Sequence, residues 1–226
     1  MNPTDIETLE RLFQSRRSCR AFLPQPVDHQ AVIRMFALAQ RSASWCNTQP
    51  WQVIVTRGAA TERFRTAYAA ELKLGSATPD FPFPSEYHGV YQQRRRECGH
   101  RLYESVGIAP GDRSASQQQT LRNFSFFDAP HVAIITSDKA LGTYGAVDCG
   151  GYVANLLLAA EALGIGIIAQ AALASHSSFV RRHFEIADDR LVVCGLSFGY
   201  ADHRSPANAF YTSRAAFEDT VLWHEA

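Results

Sequence analysis

The sequence has no surplus of charge of either sign: 22 Lys and Arg stand against 22 Asp and Glu in 226 residues. Without a basic excess there is nothing to hold a nucleic acid or an anionic membrane by counterion release, so any anion binding must be local. Nor is there an apolar run long enough to span a bilayer. The most apolar segment, Val153 to Ala169, contains Asn155 and Glu161 and is broken by Gly164 and Gly166. Asp5, Glu7, Glu10 and Arg11 deny the first residues the apolar region of a signal peptide. We therefore expect a soluble, cytoplasmic chain that partners neither nucleic acid nor membrane. The cysteines, Cys19, Cys46, Cys98, Cys149 and Cys194, are odd in number and form no CxxC pair. That argues against a disulfide framework or a zinc knuckle and predicts reduced thiols. The eight histidines are scattered, with no glutamate at metal-ligand spacing. No carboxylate pair and no Ser/His/Asp arrangement stands out, so no side-chain dyad or triad is available for acid-base or nucleophilic chemistry.

What is present is an interleaving of helical and extended patterns in a chain long enough for one full core and without a linker, so we expect a single domain over 1–226. Thr4-Asp5-Ile6-Glu7 has the form of a capping box, and Ile6, Leu9, Leu12 and Phe13 follow at helical spacing to about Gln14. Asp28 is a good cap for a second helix whose Val32, Ile33, Met35, Phe36, Leu38 and Ala39 read as a broad core face. A third amphipathic helix is expected over Thr61 to Leu72. Ala146 to Leu163 is apolar nearly all round, which places it at the centre of the fold or at a subunit interface. Ser177 to Phe184 is expected as a short surface helix. Strands are expected at Gln52 to Thr56, His131 to Thr136, Ile167 to Ala169 and Leu191 to Tyr200, giving an α+β class with a sandwiched sheet. Between Gly75 and Asn123 the apolar period dissolves, apart from a polar helix suggested by Arg94-Arg95-Arg96-Glu97. So long a stretch reads as a lid or substrate wall. The tail from Ser205 carries Val221, Leu222 and Trp223, which should dock on this domain or on a partner subunit.

The polar residues that stand out are Arg16, Arg17, Ser18 and Arg20, then Ser44, Asn47 and Gln49, then Gln170, and last Arg214. Arginines beside a serine suit a phosphate through forked, charge-assisted hydrogen bonds, and amides suit the edge of a polar heterocycle. Four separated parts, Arg-Arg-Ser-x-Arg at 16 to 20, Ser-x-x-Asn-x-Gln-Pro-Trp at 44 to 51, Gly-Ile-Gly leading to Gln170-Ala171, and Asn-x-Phe-x-x-x-Arg at 208 to 214, together resemble the nitroreductase superfamily. The resemblance implies an intertwined homodimer, a central mixed or antiparallel sheet flanked by helices, and FMN bound at the interface.

Carried over position by position, the resemblance puts Arg16 and Ser18 on the ribityl and phosphate, with Arg17 adjacent and Arg214 closing on the phosphate from the tail. It puts Arg20 and Asn123 near the pyrimidine end of the flavin, and Gln170 with the backbone N–H of Ala171 near N5. Ser44 and Asn47 would come from the other subunit, and the tail from residue 205 would dock on it. The implied reaction is ping-pong hydride transfer from NADH or NADPH to a small aromatic acceptor, a nitroaromatic or quinone, with no side-chain nucleophile. By the Arg94 to Gly99 and Asn123 to Pro130 segments the chain is most similar to nitrobenzoate-type reductases, and the three arginines at 94 to 96 would favour an aromatic carboxylate. A reductive dehalogenase, a flavin-fragmenting enzyme or a flavin-binding protein without turnover are the alternatives. Two departures bear on the site: Ala171 stands where the family often has Gly, and Trp45 and Cys46 interrupt a usually small and polar loop.

Overall fold

The computed structural model describes residues 4–225. Seven helices, α1 (Asp5–Ser15), α2 (His29–Ala39), α3 (Ala59–Leu74), α4 (Gly89–Ser105), α5 (Arg113–Leu121), α6 (Gly142–Ala162) and α7 (Ser177–Phe184), alternate with four strands, β1 (Gln52–Arg57), β2 (His131–Asp138), β3 (Gly166–Gln170) and β4 (Arg190–Gly199). The strands form one sheet in the order β1-β2-β4-β3, with every neighbouring pair antiparallel. Among the described residues, the only parallel pairing is a single bridge between Ser18 and Ile167 at the β3 edge.

The sheet is sandwiched, which explains why its central strand is legible as an unbroken apolar run. Along β2, Ala133 and Ile135 pack with Met35, Tyr152 and Leu156 beneath α2 and α6. Val132 and Ile134 face the opposite way, into Phe64, Tyr68, Phe179 and Val180 of α3 and α7. A strand buried on both faces has no polar side to show. The α7 helix is therefore not a surface helix as expected: Phe179 and Val180 are buried, and only its arginine-bearing side is open. The expected core face of α2 narrows in the same way, since Met35 and Ala39 are fully buried while Ile33 and Leu38 are each 47% exposed. The chain from 75 to 123 contains two helices rather than one, and neither α4 nor α5 has a buried residue. An apolar period exists only where a face is covered, so none was there to read.

Capping follows the sequence closely. Thr4 and Glu7 exchange both bonds of the capping box at the start of α1, and Asp28 caps α2 by accepting from the Gln30 and Ala31 N–H groups. Three consecutive non-glycine residues, Phe126, Phe127 and Asp128, hold positive φ of 60°, 52° and 62°. Such residues cost about 1–2 kcal/mol each. The turn is clamped by Arg65, which donates to the carbonyls of Ser125 and Ala129 at 2.9 and 2.7 Å and lies over the Phe126 ring.

His131 ties β2 to the segment before α2. Its Nε2 accepts from the Val27 N–H at 3.1 Å, and its Nδ1 lies 3.3 Å from the Thr56 carbonyl. Only the neutral imidazole with its proton on Nδ1 satisfies both partners. Burial chiefly, with the Arg57 charge nearby, holds its pKa below the ordinary 6.5 against the opposing Thr56 bond. The unfolded chain therefore takes up this proton at a higher pH than the folded one. The associated stability is complete above about pH 6.5 and is lost as pH falls toward the lower folded value. Urea unfolding should give a lower stability at about pH 5.5 than at about pH 7.5, and His131→Gln should flatten that slope. Equal slopes in the two proteins would refute the assignment.

Candidate functional site

The residues from Arg16 to Phe22 run as an extended segment along β3. Ser18 bridges Ile167, and the Cys19 N–H donates to the Ile167 carbonyl at 3.0 Å. This approach depends on Gly166, where a Cβ would lie 2.9 Å from Cys19 Sγ and 3.1 Å from Ala201 Cβ. Gly164, at φ +69°, ends the chain's turn out of α6. Cys19 faces inward, its thiol pushed up to about 11 by burial, so it packs as a neutral group. From the other side, buried Asn208 accepts from the Arg20 N–H at 2.6 Å and donates to the Ala21 and Asp202 carbonyls at 2.8 and 3.0 Å.

The segment so fixed forms a wall of a cavity of about 450 Å³, bordered by Arg16, Arg17, Ser18, Arg20, Cys98 and Arg214 among others. Among the described residues, none of its four arginines has a carboxylate within ion-pair distance. The Arg16 guanidinium and the Ser18 hydroxyl make no side-chain hydrogen bond among the described residues, so their donors remain available. Arg17 donates to the Tyr211 hydroxyl and lies 4.9 Å over its ring, and Arg20 lies 5.3 Å over the ring of Phe210. Desolvation lowers the Arg20 pKa, the mark of a cation lacking a counter-ion. In a chain of zero net charge this is a strong local asymmetry, suited to a dianionic phosphate.

The parallel bridge is local: past Ser18 the segment turns, so that Ala21 accepts from the Asp202 N–H and Phe22 bridges Ala201, beside the Gly166 end of β3. Gln170, three residues past Ile167, is about 10 Å along the strand. The Gln170 side chain is 3% exposed and fully engaged. Its Nε2 donates to the Asn123 carbonyl and Oδ1 at 2.9 and 3.2 Å, and its Oε1 accepts from the Ser197 hydroxyl. It thereby ties β3 to Asn123, while Ala171 is exposed just beyond it.

Ser44 and Asn47 do not border this cavity. They belong to a loop that satisfies itself: Ser44 Oγ accepts from the Gln49 N–H at 3.0 Å, and Asn47 Oδ1 accepts from Gln49 Nε2 at 3.2 Å. Cys46, Asn47 and Gln49 hold positive φ. Trp51 anchors one end, stacked on Tyr152 at 4.8 Å with Nε1 donating to Gln40 Oε1 at 3.0 Å. Trp45 anchors the other through its N–H to Asp148, its ring 62% exposed against Tyr144.

Several residues were not found by sequence reasoning. Tyr211, Glu97 and Arg101 join the tail to α4: Arg101 donates to the Tyr211 carbonyl at 3.1 Å, and the Ser213 hydroxyl donates to Glu97 Oε1 at 3.1 Å. No local signal marks these contacts, which link positions more than a hundred residues apart. The arginines at 94 to 96 do not act as a set. Arg94 faces the tail, whereas Arg95 and Arg96 face Tyr87 and Gln92. Among the described residues no cluster could hold a metal ion, and no helix is long and apolar enough to cross a membrane.

Comparison with known proteins places these features in context. The sequence profile of the nitroreductase family matches residues 13–200. The chain is 35% identical over 216 residues to the nitroreductase NfnB of Mycolicibacterium smegmatis, covering 95% of this chain and 92% of that one. It is 32% identical over 221 residues to the nitrobenzene nitroreductase of Ectopseudomonas oleovorans, covering 96% and 97%. The crystal structure of the FMN-dependent nitroreductase NfnB from Mycobacterium smegmatis in complex with NADPH superposes with a TM-score of 0.92 at 34% identity, covering 97% of this chain and 99% of that chain.

Proposed function

This chain belongs to the nitroreductase family, and from that premise we propose that it is an FMN-dependent oxidoreductase that uses NAD(P)H to reduce nitroaromatic compounds. The observation that carries the proposal is the cavity bordered by Arg16, Arg17, Arg20 and Arg214, whose charge no carboxylate of the described residues offsets. A phosphate monoester fits that donor set. Arg16 and Ser18 hold it from the β3 side and Arg214 from the tail. Arg20, on the wall of the same cavity, places positive charge toward the ring, where it favours electron uptake. The exposed Ala171 offers its N–H beside the buried Gln170 and Asn123 pair.

Bound FMN supplies the hydride acceptor and donor, which is why a site without an acid-base dyad suffices. Ser44 and Asn47 complete the pocket from a second copy of the chain. Support for that pairing comes from exposed apolar side chains on several elements: Ile6 and Phe13 of α1, Leu38 of α2, Val147 of α6, and Leu222 and Trp223 of the tail. The tail end docks on the partner, and the unpaired thiols suit the reducing cytoplasm. Nitrobenzenes, nitrobenzoates and quinones are the acceptors, and turnover alternates donor and acceptor in one place.

The test is a visible spectrum of the purified protein followed by NADPH oxidation with nitrobenzene and with 4-nitrobenzoate. Yellow protein with steady consumption is expected. Protein that is colourless and fails to take up FMN overturns the proposal, and yellow protein that never turns over reduces it to flavin binding.

A further inference from the structure

Beside the phosphate cavity lies a second one. The α4 side chains of Val90, Arg94, Glu97 and Arg101 follow one another at three- and four-residue spacing, so they share a face. Between that face and the tail is a space of about 620 Å³, closed by Thr212, Ser213 and Arg214. Cys98, Thr212 and Arg214 border both cavities, so the two are contiguous.

The second cavity is also cationic. Arg94, Arg101 and Arg214 border it against the single carboxylate of Glu97. That carboxylate is already engaged, by Arg101 at 3.0 Å and by the Ser213 hydroxyl at 3.1 Å. Arg94 has neither a carboxylate nor a hydrogen-bond partner among the described residues, and Arg214 uses only Nη1 within the chain, on Thr212 and Ser213. Two guanidinium forks thus stand open on opposite walls, one on the helix and one on the tail. A carboxylate has two oxygens in one plane and is satisfied by one fork; a phosphomonoester has three terminal oxygens and can be gripped from both sides. FMN carries one phosphate, and the β3 side of the first cavity accounts for it. A second phosphomonoester must come from another molecule, and NADPH differs from NADH by such a group.

We propose, resting on the NAD(P)H-dependent reading above, that the cavity between α4 and the tail binds the 2′-phosphate of NADPH, with Arg94 as the residue that sets the preference for NADPH over NADH. Arg214 serves both cavities, whereas Arg94 borders only the second.

The experiment uses the FMN-loaded enzyme and two probes that differ only by the 2′-phosphate, NADP+ and NAD+, titrated by calorimetry, alongside kcat/KM for NADPH and NADH. In the wild type, NADP+ should bind more tightly than NAD+. Arg94→Ala should weaken NADP+ about tenfold, the scale of one charge-assisted contact, with NAD+ unaffected. The ratio of kcat/KM for NADPH to that for NADH should fall by a similar factor, through KM. Arg94→Lys should recover part of it, and Arg96→Ala, whose side chain borders a different cavity with Tyr87, should leave the ratio as it was. Equal losses with NADPH and NADH would assign Arg94 to the pyrophosphate and overturn the proposal, as would unchanged NADP+ binding. Loss of FMN from Arg94→Ala would overturn it too, by assigning the space to the flavin. A wild-type protein that takes up no FMN is instead the failure of the flavin reading, and the paired titration on that protein still decides the subsite.

Discussion

The double variant Arg16→Ala, Arg214→Ala should purify without colour. Both side chains border the phosphate cavity, and neither is needed to hold the fold: Arg16 makes no side-chain bond among the described residues, and Arg214 bonds only to Thr212 and Ser213 beside it. A hydrogen bond to a charged group contributes about 1.5–3 kcal/mol, so removing two such partners should weaken FMN by about 10²- to 10⁴-fold. Titration of the apo-protein by flavin fluorescence would measure the loss. Its melting temperature without FMN should match that of the wild-type apo-protein, which separates a binding defect from a folding one. Retention of FMN at wild-type affinity would mean that the cavity is not where the phosphate sits.

Asn208→Ala should damage stability and cofactor binding together. Asn208 is buried, and its amide satisfies the Arg20 N–H and the carbonyls of Ala21 and Asp202. Truncation strands these groups, at about 1–3 kcal/mol for each that water cannot reach, and a total near 3–5 kcal/mol is expected. For a chain of this size that corresponds to a fall in Tm of about 10 °C. Because the same bonds hold the 16 to 20 segment against β3, FMN affinity should fall as well, and saturating FMN should restore part of the Tm. A Tm within about 2 °C of the wild type would show that the amide is replaceable by solvent.

The contrast between these two sites shows what the sequence can carry. The arginines at 16, 17, 20 and 214 were legible because a cationic cluster needs no partner to be noticed. Asn208 was visible as part of a motif, but its role was not, since two of the three groups it satisfies lie 187 and 188 residues away. The sheet was legible where burial imposes a pattern, as in β2, and α6 announced itself by having no polar side. The helices α4 and α5 bury no residue fully and so carry no apolar period. Gln170 could be picked out as a polar residue ending β3, yet its partners Ser197 and Asn123 come from other elements, and they turn it inward. The left-handed residues 46, 47 and 49 and the run at 126 to 128 were hidden for a different reason: neither stretch contains the glycine that usually marks such backbone, because surrounding contacts such as those of Arg65 hold it instead.

The wall formed by Tyr211 to Arg214 also bears on time. It is fastened to α4 by the Arg101 and Ser213 contacts, all of them exposed, so it is among the least strongly held parts of the chain. With FMN bound as proposed, release of its phosphate should wait on the opening of this wall, so the residence time of the cofactor should follow the loosening of a chain end. The two contacts that fasten the wall use the charged side chains of Arg101 and Glu97, so raising the ionic strength should shorten that residence.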